Sequence, residues 1–247
     1  MALVTGAGRG IGREVARRLS AAGLSVTVTA RSEGELQTTA HGCASETLVL
    51  PGDITDPGEV DRLFAQTEKR FGPVTVLVAN AGGGVSARVE KTSDEDWARM
   101  LDVNLTAPFR CMRRAIPGMR DAGYGRIVVV ASVAAKIGEP YISAYTASKH
   151  GVLGLVRSAA AELAGTGVTV NAVCPGYVDT PMTDATVRGI IEKTGRSEAE
   201  AREILARKQP IGRLITPEEV ASAVAFCIEN GAVTGQGVNV DGGQVPS

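Results

Sequence analysis

Short runs of β-branched and small apolar residues recur along this chain, separated by longer stretches with a helical rhythm. Ala2 to Thr5, Leu24 to Ala30, Leu48 to Leu50, Val74 to Ala79, Arg126 to Ala131, Val168 to Val173 and Val238 to Val240 are the strand-like runs. Between the first two, Ile11, Val15, Ala16 and Leu19 keep helical spacing and Gly23 ends the pattern, as a helix with one buried stripe requires. Such alternation, joined by right-handed crossovers, predicts an α/β fold. Its form is a Rossmann-type doubly wound parallel sheet with ligands outside the carboxyl ends of the strands. No linker, repeat or low-complexity tract breaks residues 1–247, so one domain is expected. The first strand begins almost at Met1, an abrupt start that reads as a loss of preceding residues. Between Pro181 and Arg213, two short amphipathic helical patterns flank Thr194-Gly195-Arg196.

Composition narrows the picture. Hydrophobic residues make up 44% of the chain but aromatic ones only 4%, so Val, Ala, Leu and Ile must build the core, which suits parallel strands covered on both faces. The 26 basic and 27 acidic residues leave a net charge of −1, with no basic field for nucleic acid or an anionic membrane. Cys43, Cys111, Cys174 and Cys227 are scattered and only two histidines are present, so reduced thiols and no metal site are expected. With no signal-peptide pattern and no apolar run of about eighteen residues, a soluble cytoplasmic protein is expected.

Two stretches carry candidate chemistry. Gly6-Ala7-Gly8-Arg9-Gly10-Ile11-Gly12 follows a strand and opens a helix. That is where small residues let a pyrophosphate approach the backbone, although a plain tight turn has the same composition. In the second stretch, Ala131 to Gly151, Ser132 precedes Tyr145 by thirteen positions and Lys149 follows it by four. The last two share one helix face. A neighbouring ammonium favours the phenolate, so the spacing predicts a lowered Tyr145 pKa and a usable proton donor. An ordinary surface helix is the alternative.

Taken together, these motifs resemble those of the classical short-chain dehydrogenase/reductase family, almost end to end. The matching positions are the glycine loop, Asn80-Ala81-Gly82 after the fourth strand, Asn104, Ser132, Tyr145, Lys149, and Pro175-Gly176 with Thr180 after the sixth strand. The resemblance implies that Tyr145 exchanges a proton with a carbonyl oxygen as hydride passes to or from a nicotinamide. Lys149 would lower the tyrosine pKa and bind the nicotinamide ribose, Ser132 would orient the carbonyl, and Asn104 would hold a water that links Lys149 to solvent. Asn104 could equally be a polar helix residue bonding backbone. Asp53 would accept from the adenine amino group with Ile54 beside the ring. Asp53 could also cap the helix that begins near Asp56. Asn80, Ala81 and Gly82 would face the adenine ribose, though the glycine run at 82–84 is also a simple flexible turn. Val178 belongs to the same cofactor segment as Pro175, Gly176 and Thr180, and Thr180 would contact the carboxamide or phosphates.

Cofactor choice is read after the second strand, where an enzyme for the non-phosphorylated cofactor carries a carboxylate. Here stand Ala30-Arg31-Ser32. Arg31 and Ser32, with Arg9 in the glycine loop, can bind a 2′-phosphate, so NADP(H) is expected. Residues 181–213 would be the helical lid over the substrate. The neighbourhoods of Lys149 and Pro175 are similar to those of bacterial 3-oxoacyl reductases and polyketide ketoreductases, implying a ketone or acyl thioester substrate. The arginines with which fatty-acid reductases dock a carrier protein would fall near Gly123 and Thr166, and neither is basic. An alcohol dehydrogenase on a small or cyclic alcohol, or a silent dinucleotide-binding regulator, is the alternative. The intact Asn104, Ser132, Tyr145 and Lys149 speak against the regulator. The resemblance also implies a homotetramer. Gly151, Val152, Leu155, Val156 and Ala159 form an apolar stripe that could serve that interface or pack within the domain. His150 is read as structural.

Overall fold

The computed structural model describes residues 1–246. Seven parallel strands form one sheet: β1 (Ala2–Thr5), β2 (Val26–Ala30), β3 (Thr47–Pro51), β4 (Val76–Ala79), β5 (Gly125–Val130), β6 (Val168–Pro175) and β7 (Gly237–Val240), in the spatial order β3-β2-β1-β4-β5-β6-β7. The order reverses between β1 and β4, the switch point at which open α/β sheets take their ligands. The predicted doubly wound fold is the observed one.

Strand ends shift by a residue or two from the pattern. Leu24 belongs to the end of α1 (Gly10–Ala21) rather than to β2, because its N–H donates to the Leu19 carbonyl at 3.1 Å across the left-handed Gly23. That bond closes the helix before the chain can extend.

Helices cover both faces. On one, α3 (Pro57–Phe71), α5 (Ala107–Asp121) and α6 (Ser143–Glu162) bury Leu63, Phe64, Met112, Met119, Val152 and Val156 against the sheet. On the other, α1, α2 (Glu33–His41) and α9 (Pro217–Glu229) bury Val15, Leu19, Leu36, Val220 and Val224. Between α4 (Asp94–Leu101) and α5 the helix continues through a π-helical turn, Asp102–Thr106. The apolar stripe on α6 is largely used internally. Val152, Val156 and Ala159 lie in the core, and the position of a side chain on Gly151 is blocked by Leu105.

The two helices expected between residues 181 and 213 form: α7 (Pro181–Thr194) ends at left-handed Gly195, and α8 (Glu198–Ala206) starts at a Ser197/Glu200 capping box. Val187, Ala201 and Leu205 give them a small core of their own. Arg202 ties the two helices together through Glu198, Asp179 and Asp184. No helix among the described residues is long and apolar enough to cross a membrane.

Candidate active site

The glycine loop is built against the end of β4. Asn80 donates its side-chain amide to the carbonyls of Thr5 and Gly6 at 2.9 and 3.1 Å, while Thr5 Oγ1 accepts from the N–H groups of Asn80 and Ala81. This packing leaves no room for side chains. A Cβ on Gly6, which has φ +63°, would lie 2.7 Å from Ala81 Cα, and one on Gly12 would lie 2.3 Å from the Gly6 carbonyl oxygen. The observation fits a dinucleotide cradle, with bare backbone at a helix N-terminus. Thr180, just before α7, faces Gly10 closely enough that a Cβ there would meet its methyl at 3.2 Å. Pro175 closes β6, Gly176 donates to the Val240 carbonyl, and Val178 is buried in a bridge to Ile215. Ile11 is half-buried in the first turn of α1.

Beyond the end of β2, Arg31 is exposed and Ser32 caps α2 by accepting from the Glu35 N–H at 3.4 Å. Arg9 pairs with Glu35 at 3.5 Å, and the Glu35 carboxylate crowds Gly8. Glu35 was not legible as a site residue, since it lies five positions beyond the end of β2. Asp53 does not cap α3. Asp56 does so, accepting from Gly58 and Glu59, while the Asp53 carboxylate turns onto the N–H and hydroxyl of Thr55. Those bonds, foremost the backbone one, hold the Asp53 carboxyl below its ordinary value, with Arg31 adding to the effect. Ile54 is only 6% exposed, its side chain committed to the core.

Asn104, Ser132, Tyr145 and Lys149 converge. The π-helical turn aims the buried Asn104 at the β4 loop, where its Oδ1 accepts from Gly83 N–H at 3.2 Å and its Nδ2 donates to the Gly83 carbonyl at 3.0 Å. Such turns inside α-helices commonly mark functional positions. A Cβ on Gly82 would stand 2.8 Å from Asn104 Oδ1 and 3.7 Å from Lys149 Nζ, so Gly82 separates these two groups. Ser132 lies two residues past the end of β5 and caps a 3₁₀ turn, accepting from the Ala134 N–H. Lys149 Nζ donates to the Val130 carbonyl at 3.0 Å and lies 5.6 Å from the centre of the Tyr145 ring.

Tyr145 departs from the expected proton affinity. Burial raises its phenol above the ordinary value, with Cys174 and Glu139 adding to the rise and the neighbouring Ser132 hydroxyl opposing it by hydrogen bonding. Burial also lowers Lys149 to about 8. The ammonium donates to Val130 and stands 5.6 Å from the ring centre, and it does not offset the burial of the phenol as spacing alone suggested. His150 is exposed and bonds only the Thr146 carbonyl, consistent with a structural role.

A dinucleotide cradle at the sheet's switch point and a Ser–Tyr–Lys cluster beside it define an oxidoreductase site of the Rossmann type. The chain belongs to the short chain dehydrogenase family, whose model matches residues 1–190, and so to oxidoreductases that interconvert CH–OH and C=O groups. It is 42% identical to a Streptomyces coelicolor protein assigned as a ketoacyl reductase, over 98% of this chain and 96% of that one. It is 37% identical to the D-beta-hydroxybutyrate dehydrogenase of Rhizobium meliloti, over 98% and 97%. Among solved structures, a variant of actinorhodin polyketide ketoreductase crystallised with NADPH superposes with a TM-score of 0.95 at 42% identity, covering 98% of this chain and 96% of that one.

Proposed function

We propose that this chain is an NADPH-dependent carbonyl reductase that converts a 3-oxoacyl thioester or polyketide-like ketone to the secondary alcohol, reversibly. The observation that carries the reading is the convergence of Ser132, Tyr145 and Lys149 beside a cradle of bare backbone. The residues present fit NADP(H): Gly6, Gly8, Gly10, Ile11 and Gly12 for the pyrophosphate side, Arg9, Arg31 and Ser32 for a 2′-phosphate, Asp53 and the Ile54 backbone for adenine. Asn80, Ala81 and Gly82 serve the ribose, and Pro175, Gly176, Val178 and Thr180 the nicotinamide half. When bound, the cofactor supplies the hydride.

The chain's own residues then handle the oxygen and its proton. Ser132 hydrogen-bonds and orients the substrate carbonyl. Tyr145, kept protonated by burial, donates its phenolic proton to the developing alkoxide, and Ser132 stabilises the resulting phenolate. Lys149 returns a proton toward Tyr145 from a position separated from Asn104 only by Gly82. Residues 181–213 close over the substrate and exclude water. The 3-oxoacyl class is favoured by the ketoacyl and polyketide names of the similar proteins. The hydroxybutyrate dehydrogenase relative supports oxidation of a 3-hydroxy acid as the second reading, and both need the same groups.

Residues 1–247 act in this reading as one unit in the cytoplasm, assembled as a homotetramer. The exposed Trp97, Phe109 and Phe226 on α4, α5 and α9 are apolar surface available for that assembly. Light scattering at micromolar concentration tests it, and a monomer would end it. The activity is tested by following NADPH absorbance with acetoacetyl-CoA, a simple 3-oxoester and a cyclic ketone, beside Tyr145→Phe. Turnover lost in the variant supports the reading. Tight NADPH binding without turnover on any of the three sinks this substrate class.

A further inference from the structure

Glu139 is the one acidic residue in the stretch from Ala131 to Gly151, and the mechanism above does not use it. Its side chain is only 13% exposed. Oε2 accepts from the Tyr177 hydroxyl at 2.9 Å and from Lys208 Nζ at 3.0 Å, and Oε1 accepts from Gln244 Nε2 at 3.0 Å. Lys208 also donates to the Tyr177 hydroxyl at 3.2 Å and lies 5.1 Å from the centre of its ring. One carboxylate thus gathers three segments distant in sequence: the loop after β6, the foot of the lid and the C-terminal segment.

Each of the three is separately fixed. Gln209, next to Lys208, is buried, and its amide accepts from Tyr177 N–H at 3.1 Å and donates to the Tyr177 carbonyl at 3.2 Å. Asp241 holds the C-terminal segment through the N–H groups of Gly243 and Val245. Glu139's own loop is constrained two residues later. Tyr141 takes φ +70°, and its carbonyl accepts from Ala87 N–H at 2.8 Å. A bulky residue in the left-handed region is held there only by its surroundings, and this one stands four residues before Tyr145.

We propose that Glu139 is a positioning residue for the reaction, a carboxylate clasp that holds the foot of the lid and the C-terminal segment against the loop running into Tyr145. The proposal rests on Tyr145 being the proton donor. Geometry gives the clasp two effects. It sets the closed position of residues 181–213, hence the fit of substrate beneath them. It also fixes a negative charge in the field of Tyr145, whose other neighbours are Ser132, Cys174 and Lys149, while Lys208 and Tyr177 face the carboxylate itself.

The test is Glu139→Gln, with Lys208→Met as the second variant. Glu139→Gln keeps the volume, and turning over the Gln244 amide would offer its Oε1, a buried acceptor without a partner among the described residues, to the new N–H, so a folded protein is expected. Two readouts are taken. One is steady-state kinetics with a 3-oxoacyl thioester. The other is ultraviolet phenolate titration, each protein minus its Tyr145→Phe counterpart, which isolates Tyr145 among four tyrosines without requiring turnover. In Glu139→Gln, KM rises about tenfold with kcat little changed, as expected for one lost charge-assisted bond, and the Tyr145 midpoint moves to lower pH. In Lys208→Met, KM also rises and the midpoint moves to higher pH, because the carboxylate loses its counter-ion. A folded Glu139→Gln with KM and midpoint both unchanged overturns the proposal. If that variant does not fold, a Lys208→Met protein with neither change overturns it equally. Failure of the functional reading is separate: the wild-type protein then turns over none of the ketones.

Discussion

Lys149 donates its ammonium to the backbone carbonyl of Val130, 3.0 Å away and two residues before Ser132. The bond spans the gap between α6 and the end of β5. It also leaves a buried cation with no carboxylate partner among the described residues, and burial drops the lysine from 10.5 to about 8. A folded-state value below the unfolded one means that the unfolded chain binds more protons between these limits, so stability rises with pH across that window. Below pH 8 the full cost, about 3 kcal/mol by the size of the shift, is present. Above pH 10 the raised Tyr145 acts in the opposite sense, since only the unfolded chain ionises there. From about pH 9 the buried thiols of Cys111, Cys174 and Cys227, all raised by burial, act in that same opposing sense, so thermal melts of the cofactor-free protein are expected to climb through pH 8 and fall above about pH 9.

Lys149→Met follows from the same contact. Removing the charge outweighs the lost hydrogen bond, so the variant melts higher at pH 7 by roughly 2–6 °C, for a net gain of about 1–2 kcal/mol. The advantage disappears near pH 10, while turnover is abolished. A variant that melts lower at pH 7 would show that the ammonium stabilises the free protein.

Tyr145→Phe removes the proposed proton donor and leaves the aromatic packing in place. Turnover is expected to fall by about 10² to 10⁴-fold, the usual worth of a positioned general acid, with cofactor affinity retained in a fluorescence titration. Ser132→Ala loses the cap on Ala134 as well as the carbonyl contact, and its loss of rate is accompanied by a small loss of stability, about 1 kcal/mol.

In the proposed function, cofactor preference rests on charges around the α2 N-terminus. Arg31→Asp is expected to weaken NADPH by at least about tenfold and leave NADH little affected, through loss of a charge-assisted contact. Glu35→Gln acts in reverse. It releases Arg9 from its ion pair and removes an anion beside Gly8, so NADPH binds more tightly in calorimetry. Weaker NADPH binding in Glu35→Gln would mean that the carboxylate organises the site rather than competing for it.

Gly12→Ala tests the cradle. Its Cβ would lie 2.3 Å from the Gly6 carbonyl oxygen and 2.4 Å from the Asn80 amide, so β1, α1 and the β4 end must separate. A loss of about 1–3 kcal/mol is expected, together with loss of dinucleotide binding. Gly34→Ala, where nothing stands within 4 Å, is the matched control and is expected to melt no lower than the wild type.

The seven strands and the helices between them were legible in the sequence because apolar periodicity reports directly which face an element buries. The helical repeat alone put Tyr145 and Lys149 on one face, and the glycines of the loop announced a close approach of backbone. Periodicity says nothing about which distant segments meet. Glu139 finds its partners 38, 69 and 105 positions away, and Asn104 reaches Gly83 only because the helix widens to a π turn at that point. The stripe on α6 was visible as apolar, but only packing decided that Val152 and Val156 belong to the core. Proton affinity was the furthest from reach. Spacing set Lys149 one turn from Tyr145, whereas desolvation, a property of the whole surrounding fold, decided that the lysine falls and the phenol rises.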